Sequence, residues 1–294
     1  MGYTYSELQN DIEELMKNYG FIGVGTIGKT LVGREIPLIT IGKGAKSVLY
    51  VGTHHGMEWI TSLLLMNYVR ECCENVVKNK KIFGTDAEYL FENRRVFVVP
   101  MLNPDGVELQ VNGRDADNPL TERLYTMSGG DFSHWQANGR GVDLNHNYNA
   151  GFNEYKAIEP TLGIFGGAPT RYSGAYPESE PEVSAMCGFI RSTDISLLIA
   201  LHTQGGEIYY DYNGHVPRGA EAIARRMSAM SGYKLSRPEG AASYGGLKDW
   251  FINEFDRPGF TVECGKGVNP LPETDEPVIR SVIGGVLHSA MMFV

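Results

Sequence analysis

Apolar residues recur at helical spacing in several stretches of the chain and form short, unbroken runs in others. Leu8, Ile12, Leu15 and Met16 lie three or four positions apart, which predicts an amphipathic helix over residues 5–19. The same reasoning predicts helices over residues 60–77, 178–191, 219–230, 247–255 and 275–293. Apolar runs bounded by glycine, proline or polar residues predict strands over residues 34–42, 47–52, 95–100, 196–202, 207–212 and 259–264.

The order of these elements indicates the fold class. Strands alternate with helices along the chain, which is typical of α/β proteins whose helices cover the faces of a sheet. A length of 294 residues fits one large domain or two small ones, and no linker rich in proline or serine divides the chain. We therefore predict one α/β domain over residues 1–294 with a largely buried sheet.

One long region departs from this pattern. Residues 103–177 are rich in Asn, Gly, Asp, Pro and Tyr and show little periodicity. A stretch without regular structure is uncommon at this length in a compact domain and usually has a function. We expect this region to contribute to a binding or catalytic site.

Composition and charge exclude several classes of partner. The net charge of -9 lacks the basic surface that nucleic-acid binding requires, so we expect no nucleic-acid partner. No apolar run approaches the roughly 18 residues of a membrane helix, so we expect no membrane partner. Residues 1–8 have neither the basic region nor the apolar region of a signal peptide, so we expect none here. The sequence leaves open whether a leader was trimmed before residue 1.

The cysteines indicate the compartment. Cys72, Cys73, Cys187 and Cys264 show no spacing typical of a metal site, and adjacent cysteines rarely pair with each other. We interpret all four as free thiols of a protein in a reducing compartment, and we predict a cytoplasmic location.

Two histidines and two glutamates lie near the ends of predicted strands. His55 and Glu58 closely follow one strand and are three positions apart, so both can face the same way on a helical turn or tight loop. His202 and Glu263 lie at the C-terminal ends of two others. Because ligands of open α/β sheets bind beyond the carboxyl ends of the strands, we expect these side chains to converge. Two imidazoles and a carboxylate are a common ligand set for catalytic zinc, and a further carboxylate can deprotonate zinc-bound water.

Each of these residues also has a simpler interpretation. His55 and Glu58 could form a buried ion pair, and His202 could be a strand-end histidine capped by a carbonyl group. His54 is an alternative to His55, but only His55 has the three-residue spacing to Glu58. The prediction therefore depends on the convergence of distant segments.

Several short motifs, taken in order, resemble the zinc metallocarboxypeptidase family, whose best-known member is carboxypeptidase A. The resemblance covers nearly the whole chain, and its motifs lie at residues 32–36, 55–60, 103–106, 141–145, 201–202, 245–250 and 260–263. It implies a mixed, mostly parallel, twisted sheet flanked by helices. It also implies one Zn2+ per chain, with His55, Glu58 and His202 as ligands.

The resemblance implies further roles in the site. Glu263 is expected to act as the general base and later to return the proton to the leaving amine. Asp143 is expected to orient His55, since such partners fix the tautomer and ring position of a ligand; the alternative is a turn residue that caps its own backbone. Asn145 is expected to contact a substrate carboxylate.

An oxyanion stabiliser is also needed, because a tetrahedral intermediate carries negative charge. In carboxypeptidase A an arginine follows a tryptophan upstream of the Gly-Val-Asp motif, but here Gln136 follows Trp135. Arg140 resembles the arginine of bacterial relatives, and we expect it to take this role. The alternative is a surface arginine in a loop.

Two departures from the family concern the substrate carboxylate. Carboxypeptidases hold the C-terminal carboxylate with an Asn-Arg pair, whereas this chain has Asn145 and His146. An arginine makes a bidentate contact with a carboxylate that a neutral histidine cannot make, so the usual clamp is weakened or replaced. The mobile tyrosine of carboxypeptidase A is missing at its usual position; Tyr244 could substitute for it, with core packing as the alternative.

Lys248 indicates which side chain the enzyme prefers. The resemblance places it at the floor of the specificity pocket, where a lysine favours an anion; the alternative is an exposed helix lysine. Segments at residues 135–145, 202–209 and 263–270 resemble the bacterial branch of γ-D-glutamyl-diamino acid peptidases. Meso-diaminopimelate carries a second carboxylate on its side chain, which suits Lys248.

These observations predict a zinc-dependent peptidase that hydrolyses a peptide bond next to an acidic or diamino-acid residue. The expected substrate is a peptide or muropeptide, with γ-D-glutamyl-meso-diaminopimelate of peptidoglycan stem peptides as the specific expectation. One alternative is a conventional metallocarboxypeptidase that releases acidic C-terminal residues, with a zinc-dependent deacylase of similar fold as a more distant option. Another is a non-catalytic module that binds murein peptides.

Overall fold

Eight strands form one mixed sheet in a computed structural model of the protein, which describes residues 2–294. The strands are β1 (Gly23–Lys29), β2 (Glu35–Ile41), β3 (Lys46–Val51), β6 (Arg94–Val99), β7 (Leu197–His202), β8 (Glu207–Tyr209), β9 (Lys234–Ser236) and β10 (Gly259–Glu263). A separate two-stranded ribbon consists of β4 (Lys81–Ile82) and β5 (Thr85–Asp86). The sheet order is β1-β2-β6-β3-β7-β10-β8-β9, and β6, β3, β7 and β10 form its parallel centre.

Ten α-helices surround the sheet. They are α1 (Tyr5–Asn18), α2 (Ile60–Val77), α3 (Ala87–Asn93), α4 (Pro104–Asn112), α5 (Thr121–Met127), α6 (Phe152–Ile158), α7 (Pro181–Ser192), α8 (Ala220–Ser231), α9 (Leu247–Phe255) and α10 (Glu276–Phe293), counted over residues 2–294.

The central strands are buried on both faces. In β3, Val48 and Tyr50 pack into the core that α1, α2, α8 and α10 cover, whereas Leu49 and Val51 pack into the core that α7 and α9 cover. A strand buried on both faces has to be apolar at every position, which explains the unbroken apolar runs in the sequence. The prediction of a single α/β domain with a mixed, mostly parallel sheet flanked by helices is confirmed.

Most predicted elements agree with the structure to within a few residues, but some were missed. The region over residues 103–177 contains three helices, α4, α5 and α6, and the strand predicted over residues 207–212 ends at Tyr209. Strand β1 was not predicted, because it is an edge strand rich in glycine that leaves most of its residues partly or fully exposed.

Two further predictions concern the whole chain. All four cysteines are free, as predicted, and all four are buried. Within residues 2–294, none of the helices combines the length and the apolar character needed to cross a lipid bilayer.

Candidate metal centre and active-site cleft

A tight turn after β3 positions the first two candidate ligands. Thr53 has a φ of 52°, and its backbone N–H donates to the hydroxyl of Thr61 at 2.8 Å. A short 3-10 helix, Gly56–Glu58, follows and turns Glu58 back towards His55. Gly56 is required here, because a Cβ atom would lie 2.3 Å from the carbonyl oxygen of Gly106.

The three candidate ligands meet at the Glu58 carboxylate. The Nδ1 atom of His55 lies 2.9 Å from Oε1 of Glu58, and the Nδ1 atom of His202 lies 3.0 Å from Oε2. One ligand atom from each residue lies within 4.8 Å of the others. The structure thus brings His202 together with His55 and Glu58, which are more than 140 positions away in sequence, and this convergence agrees with the prediction.

Asp143 holds a proton on Nε2 of His55. Its Oδ1 atom lies 3.1 Å from Nε2 of His55, and its Oδ2 atom accepts the backbone N–H of Arg171 at 3.0 Å. Because a carboxylate only accepts, Nε2 donates to Asp143, and Nδ1 is the ring nitrogen that faces Glu58. With no cation between them, Nδ1 also has to carry a proton to meet the Glu58 carboxylate.

The pKa values of the cluster indicate that its residues suit a bound cation. Burial lowers the pKa of His55, but the carboxylates of Glu58 and Asp143 outweigh it and raise that pKa well above its usual value. Burial likewise raises the pKa of Glu58, but His55 and His202 outweigh it and lower that pKa to about 2. Nε2 of His202 is buried and has no partner among residues 2–294. A metal ion held by His55, Glu58 and His202 would take the place of the proton between His55 and Glu58, and a set of two histidines and one glutamate fits zinc.

The cluster lies in a cleft of about 300 Å³. The predicted site residues that line this cleft are His55, Glu58, Asp143, Asn145, His146, His202, Lys248 and Glu263. A larger hollow of about 690 Å³, near Trp59 and Pro270, contains none of these residues. The candidate catalytic and metal-binding residues therefore lie in the smaller, polar cleft.

Glu263 reaches the cleft from the strand next to His202. Strands β10 and β7 are parallel, and Glu263 is in register with His202. Burial and the nearby carboxylates of Glu58 and Glu207 raise the pKa of Glu263 to about 8, although His55 opposes them. A bound dication would favour the ionised form of this carboxylate, which is the form that accepts a proton.

His146 is held as a neutral ring. Its Nδ1 atom donates to the carbonyl oxygen of Tyr244 at 2.8 Å, and its ring stacks on Tyr155 with centroids 3.9 Å apart. Burial lowers its pKa, against the opposing effect of Asp143. This geometry agrees with the expectation that His146 cannot replace a clamping arginine.

Tyr244 does not take the predicted position. Its ring packs against Gly151, where an added Cβ would lie 2.5 Å from the ring, and the residue is not part of the cleft lining. The backbone carbonyl of Tyr244 is the group that acts near the site, because it fixes His146. The expectation that the Tyr244 side chain contacts substrate is therefore unsupported. The alternative interpretation, a packing role, fits the structure.

Lys248 lies in the cleft wall and is only 3% exposed. Its ammonium group donates to the carboxylate of Asp249 and to the backbone carbonyl of Asp211. The exposed helix lysine of the alternative interpretation is thus excluded. Because an ammonium has three N–H donors, one remains for a ligand.

Arg140 lies outside the cleft lining. Its side chain is 42% exposed, and its Nε atom lies 3.7 Å from the Glu180 carboxylate. Its predicted role as oxyanion stabiliser has no support in this geometry, whereas its alternative as a loop arginine fits.

Ten of the residues that line the cleft were not predicted as site residues from the sequence. They include Thr170, Arg171, Tyr209 and Asp249. Arg171 and Thr170 lie in the irregular region that we expected to contribute to the site, but no motif distinguishes them from their neighbours.

The chain is similar in sequence or in fold to several known proteins. The chain is 36% identical over 291 residues to γ-D-glutamyl-L-diamino acid endopeptidase 1 of Lysinibacillus sphaericus, covering 98% of this chain and 72% of that protein. The fold of this chain matches that of bovine thrombin-activatable fibrinolysis inhibitor in complex with tick carboxypeptidase inhibitor. The TM-score is 0.75 at 19% identity, and the match covers 100% of this chain and 97% of that chain. The fold also matches murein-tripeptide amidase MpaA from Escherichia coli O157, with a TM-score of 0.56, 19% identity and 91% coverage of each chain. The family model described as zinc carboxypeptidase matches residues 8–275, and the chain belongs to the zinc carboxypeptidase family.

Proposed function

We propose that this protein is a zinc-dependent peptidase that cleaves the bond between a γ-D-glutamyl residue and a diamino acid, with one zinc ion per chain. The observation that carries the proposal is the cluster of His55, Glu58 and His202 in one cleft with Glu263. The name of the 36% identical relative supports the choice of bond. Meso-diaminopimelate in peptidoglycan stem peptides is the diamino acid that suits the cleft.

The chain's own residues divide the work of hydrolysis. When bound, zinc lowers the pKa of its water from 15.7 towards about 7 and polarises the scissile carbonyl. Glu263 accepts a proton from the attacking water and delivers it to the leaving amine. Asp143 holds the Nε2 proton of His55, so that Nδ1 is the nitrogen that would bind the metal.

Lys248 supports a substrate with an anionic side chain on the amine side of the bond. Lys248 lines the cleft and keeps one N–H donor beyond its two hydrogen bonds, while Asp249 balances part of its charge. The side chain of meso-diaminopimelate ends in a carboxylate and an ammonium group, and the Lys248–Asp249 pair offers a partner to each. Glutamate and aspartate side chains offer only the carboxylate.

A conventional carboxypeptidase that releases acidic C-terminal residues is the second candidate. Lys248 also suits that substrate, and Asn145 retains one half of the usual carboxylate clamp. Neutral His146 disfavours it, because it presents no second donor fork. A non-catalytic binding module is disfavoured because the three ligands and Glu263 are all in place.

Zinc-loaded protein should be incubated with muropeptides, and the products should be identified by mass spectrometry. We expect cleavage between D-glutamate and the diamino acid. The Glu263→Gln variant should bind zinc normally but lose about 10²- to 10⁴-fold in kcat, as expected for loss of a general base. Release of only C-terminal acidic residues would favour the second candidate, and full activity of Glu263→Gln would remove its assigned role.

We also propose that the protein works in the cytoplasm. Four buried cysteines that form no disulfide within residues 2–294 support a reducing compartment. Mass spectrometry of alkylated protein from its native host should find all four thiols free.

A further inference from the structure

We propose that Arg171 binds the free α-carboxylate of the D-glutamyl residue on the acyl side of the scissile bond. This inference rests on the proposed function and extends it to the other half of the substrate. It makes Arg171 a specificity residue that distinguishes a D-glutamyl substrate from its amidated form.

The chemistry of a γ-glutamyl bond creates the need for such a residue. When glutamate is linked through its side-chain carboxyl group, its α-carboxylate stays free and lies a few bonds from the scissile carbonyl. An ion that enters a cleft and loses water needs a partner of opposite charge. The acyl side of the cleft should therefore offer a cation.

The topology separates the two cations of the cleft. Arg171 is linked through Asp143 to His55, which follows β3. Lys248 is bonded to Asp211, which follows β8. Strands β7 and β10, which end in His202 and Glu263, lie between β3 and β8 in the sheet, so the two points of attachment follow strands on opposite sides of this pair.

The backbone of Arg171 is fixed on both sides. Its N–H donates to Oδ2 of Asp143 at 3.0 Å, and its carbonyl oxygen accepts from the hydroxyl of Tyr155 at 2.9 Å. The next residue, Tyr172, accepts the N–H of Asp143 at 2.7 Å. Arg171 has a φ of 67°, which lies in the left-handed region where non-glycine residues are uncommon. The backbone from which the arginine side chain extends is therefore fixed before the substrate arrives.

The guanidinium of Arg171 has its charge available. Lys248 is paired with Asp249, and Arg140 lies beside Glu180, but Arg171 takes part in no ion pair within the described residues 2–294. Arg171 lines the cleft and remains exposed. A planar guanidinium suits bidentate contact with a carboxylate.

Two dipeptides test this inference with the zinc-loaded full chain. One is γ-D-glutamyl-meso-diaminopimelate with a free α-carboxylate, and the other carries an α-carboxamide at the same position. We expect wild-type protein to cleave the acid with a kcat/KM about 10- to 100-fold higher than the amide, as a charge-assisted contact implies. Arg171→Gln should lose this preference by losing rate on the acid alone, and Arg171→Lys should recover part of it.

Arg123→Gln is the matched control, because Arg123 is an exposed arginine on α5 outside the cleft, and it should keep the wild-type preference. Equal rates of the wild type on both dipeptides would overturn this inference but not the proposed function. So would an equal loss on both dipeptides in Arg171→Gln, which would indicate an oxyanion contact. If Arg171→Gln does not fold, the wild-type comparison still decides. Cleavage of neither dipeptide would overturn the proposed function and this inference with it.

Discussion

Glu182 is a buried carboxyl group that should make the wild-type protein less stable as the pH rises. Replacing it by glutamine should remove this loss of stability. Glu182 lies at the beginning of α7, is 0% exposed, and its Oε1 atom has no hydrogen-bond partner among residues 2–294. Its Oε2 atom accepts from Asn138 at 3.2 Å, and Asn138 also accepts the backbone N–H of Val142 beside the Asp143 motif. Burial and the nearby carboxylates of Asp105 and Glu180 raise the pKa of Glu182 to about 8.

The sign and size of the effect follow from that pKa. The ordinary pKa of a glutamate is 4.5, so between this value and about 8 the folded protein holds a proton that the unfolded chain releases. Stability from this group is complete below the lower pKa and is lost as the pH rises, by about 1.4 kcal/mol per pH unit. From pH 5.5 to 7.5 the wild type should therefore lose about 3 kcal/mol that Glu182→Gln retains.

Chemical denaturation of both proteins at the two pH values measures this difference, because titrations shared by the two proteins cancel. Glu13→Gln provides the control, since Glu13 is exposed on α1 and should give parallel stability profiles. A difference between Glu182→Gln and wild type that stays constant from pH 5.5 to 7.5 would refute the reasoning, because Glu182 would then be ionised in the folded protein.

Three further predictions concern the cleft. Asp143→Asn should weaken zinc binding about 10- to 100-fold, because the charge that orients His55 is lost, and competition with a chelator measures this. Protein with zinc at 1,000 times its Kd should be more stable by about 4 kcal/mol than protein from which a chelator has removed the zinc, because zinc binds only the folded state. Thermal or chemical unfolding measures this difference, and His202→Ala should abolish it. Lys248→Gln should lower the free energy of unfolding by about 3–5 kcal/mol, because it leaves Asp249 as a buried, unpaired charge. The double variant with Asp249→Asn should recover stability but not cleavage of diaminopimelate substrates, which separates structure from recognition.

The fold could be predicted largely from the sequence because the central strands carry strong signals. A strand such as β7 is apolar at every position before His202, and burial on both faces demands that pattern. Strand β1 carries no such signal, because glycines and exposed positions weaken its alternation. Its pairing with β2 depends on tertiary structure that local composition does not encode.

The candidate ligands were predictable for a related reason. His202 and Glu263 end two apolar strands, so a single topological rule places both at the same edge of the sheet. Arg171 and Asp249 could not be identified in this way. The position of Arg171 depends on a backbone hydrogen bond to Asp143, and no residue pattern records that contact. Arg140 shows the converse, since it stands beside a motif in sequence but lies near Glu180, outside the cleft.

The tautomer of His146 bears directly on the choice between the two candidate substrates. Its Nδ1 atom donates to a carbonyl oxygen that can only accept, so the neutral ring presents an unprotonated Nε2 as its remaining polar atom. A carboxylate placed against this nitrogen would meet a lone pair, which is the opposite of what an arginine offers at the same position. A C-terminal carboxylate thus gains little from His146, whereas Lys248 and Arg171 in the same cleft are cations that can each meet an anion. A substrate with a free carboxylate on the acyl side and another on the side chain of the amine-side residue uses both cations, and γ-D-glutamyl-meso-diaminopimelate has both.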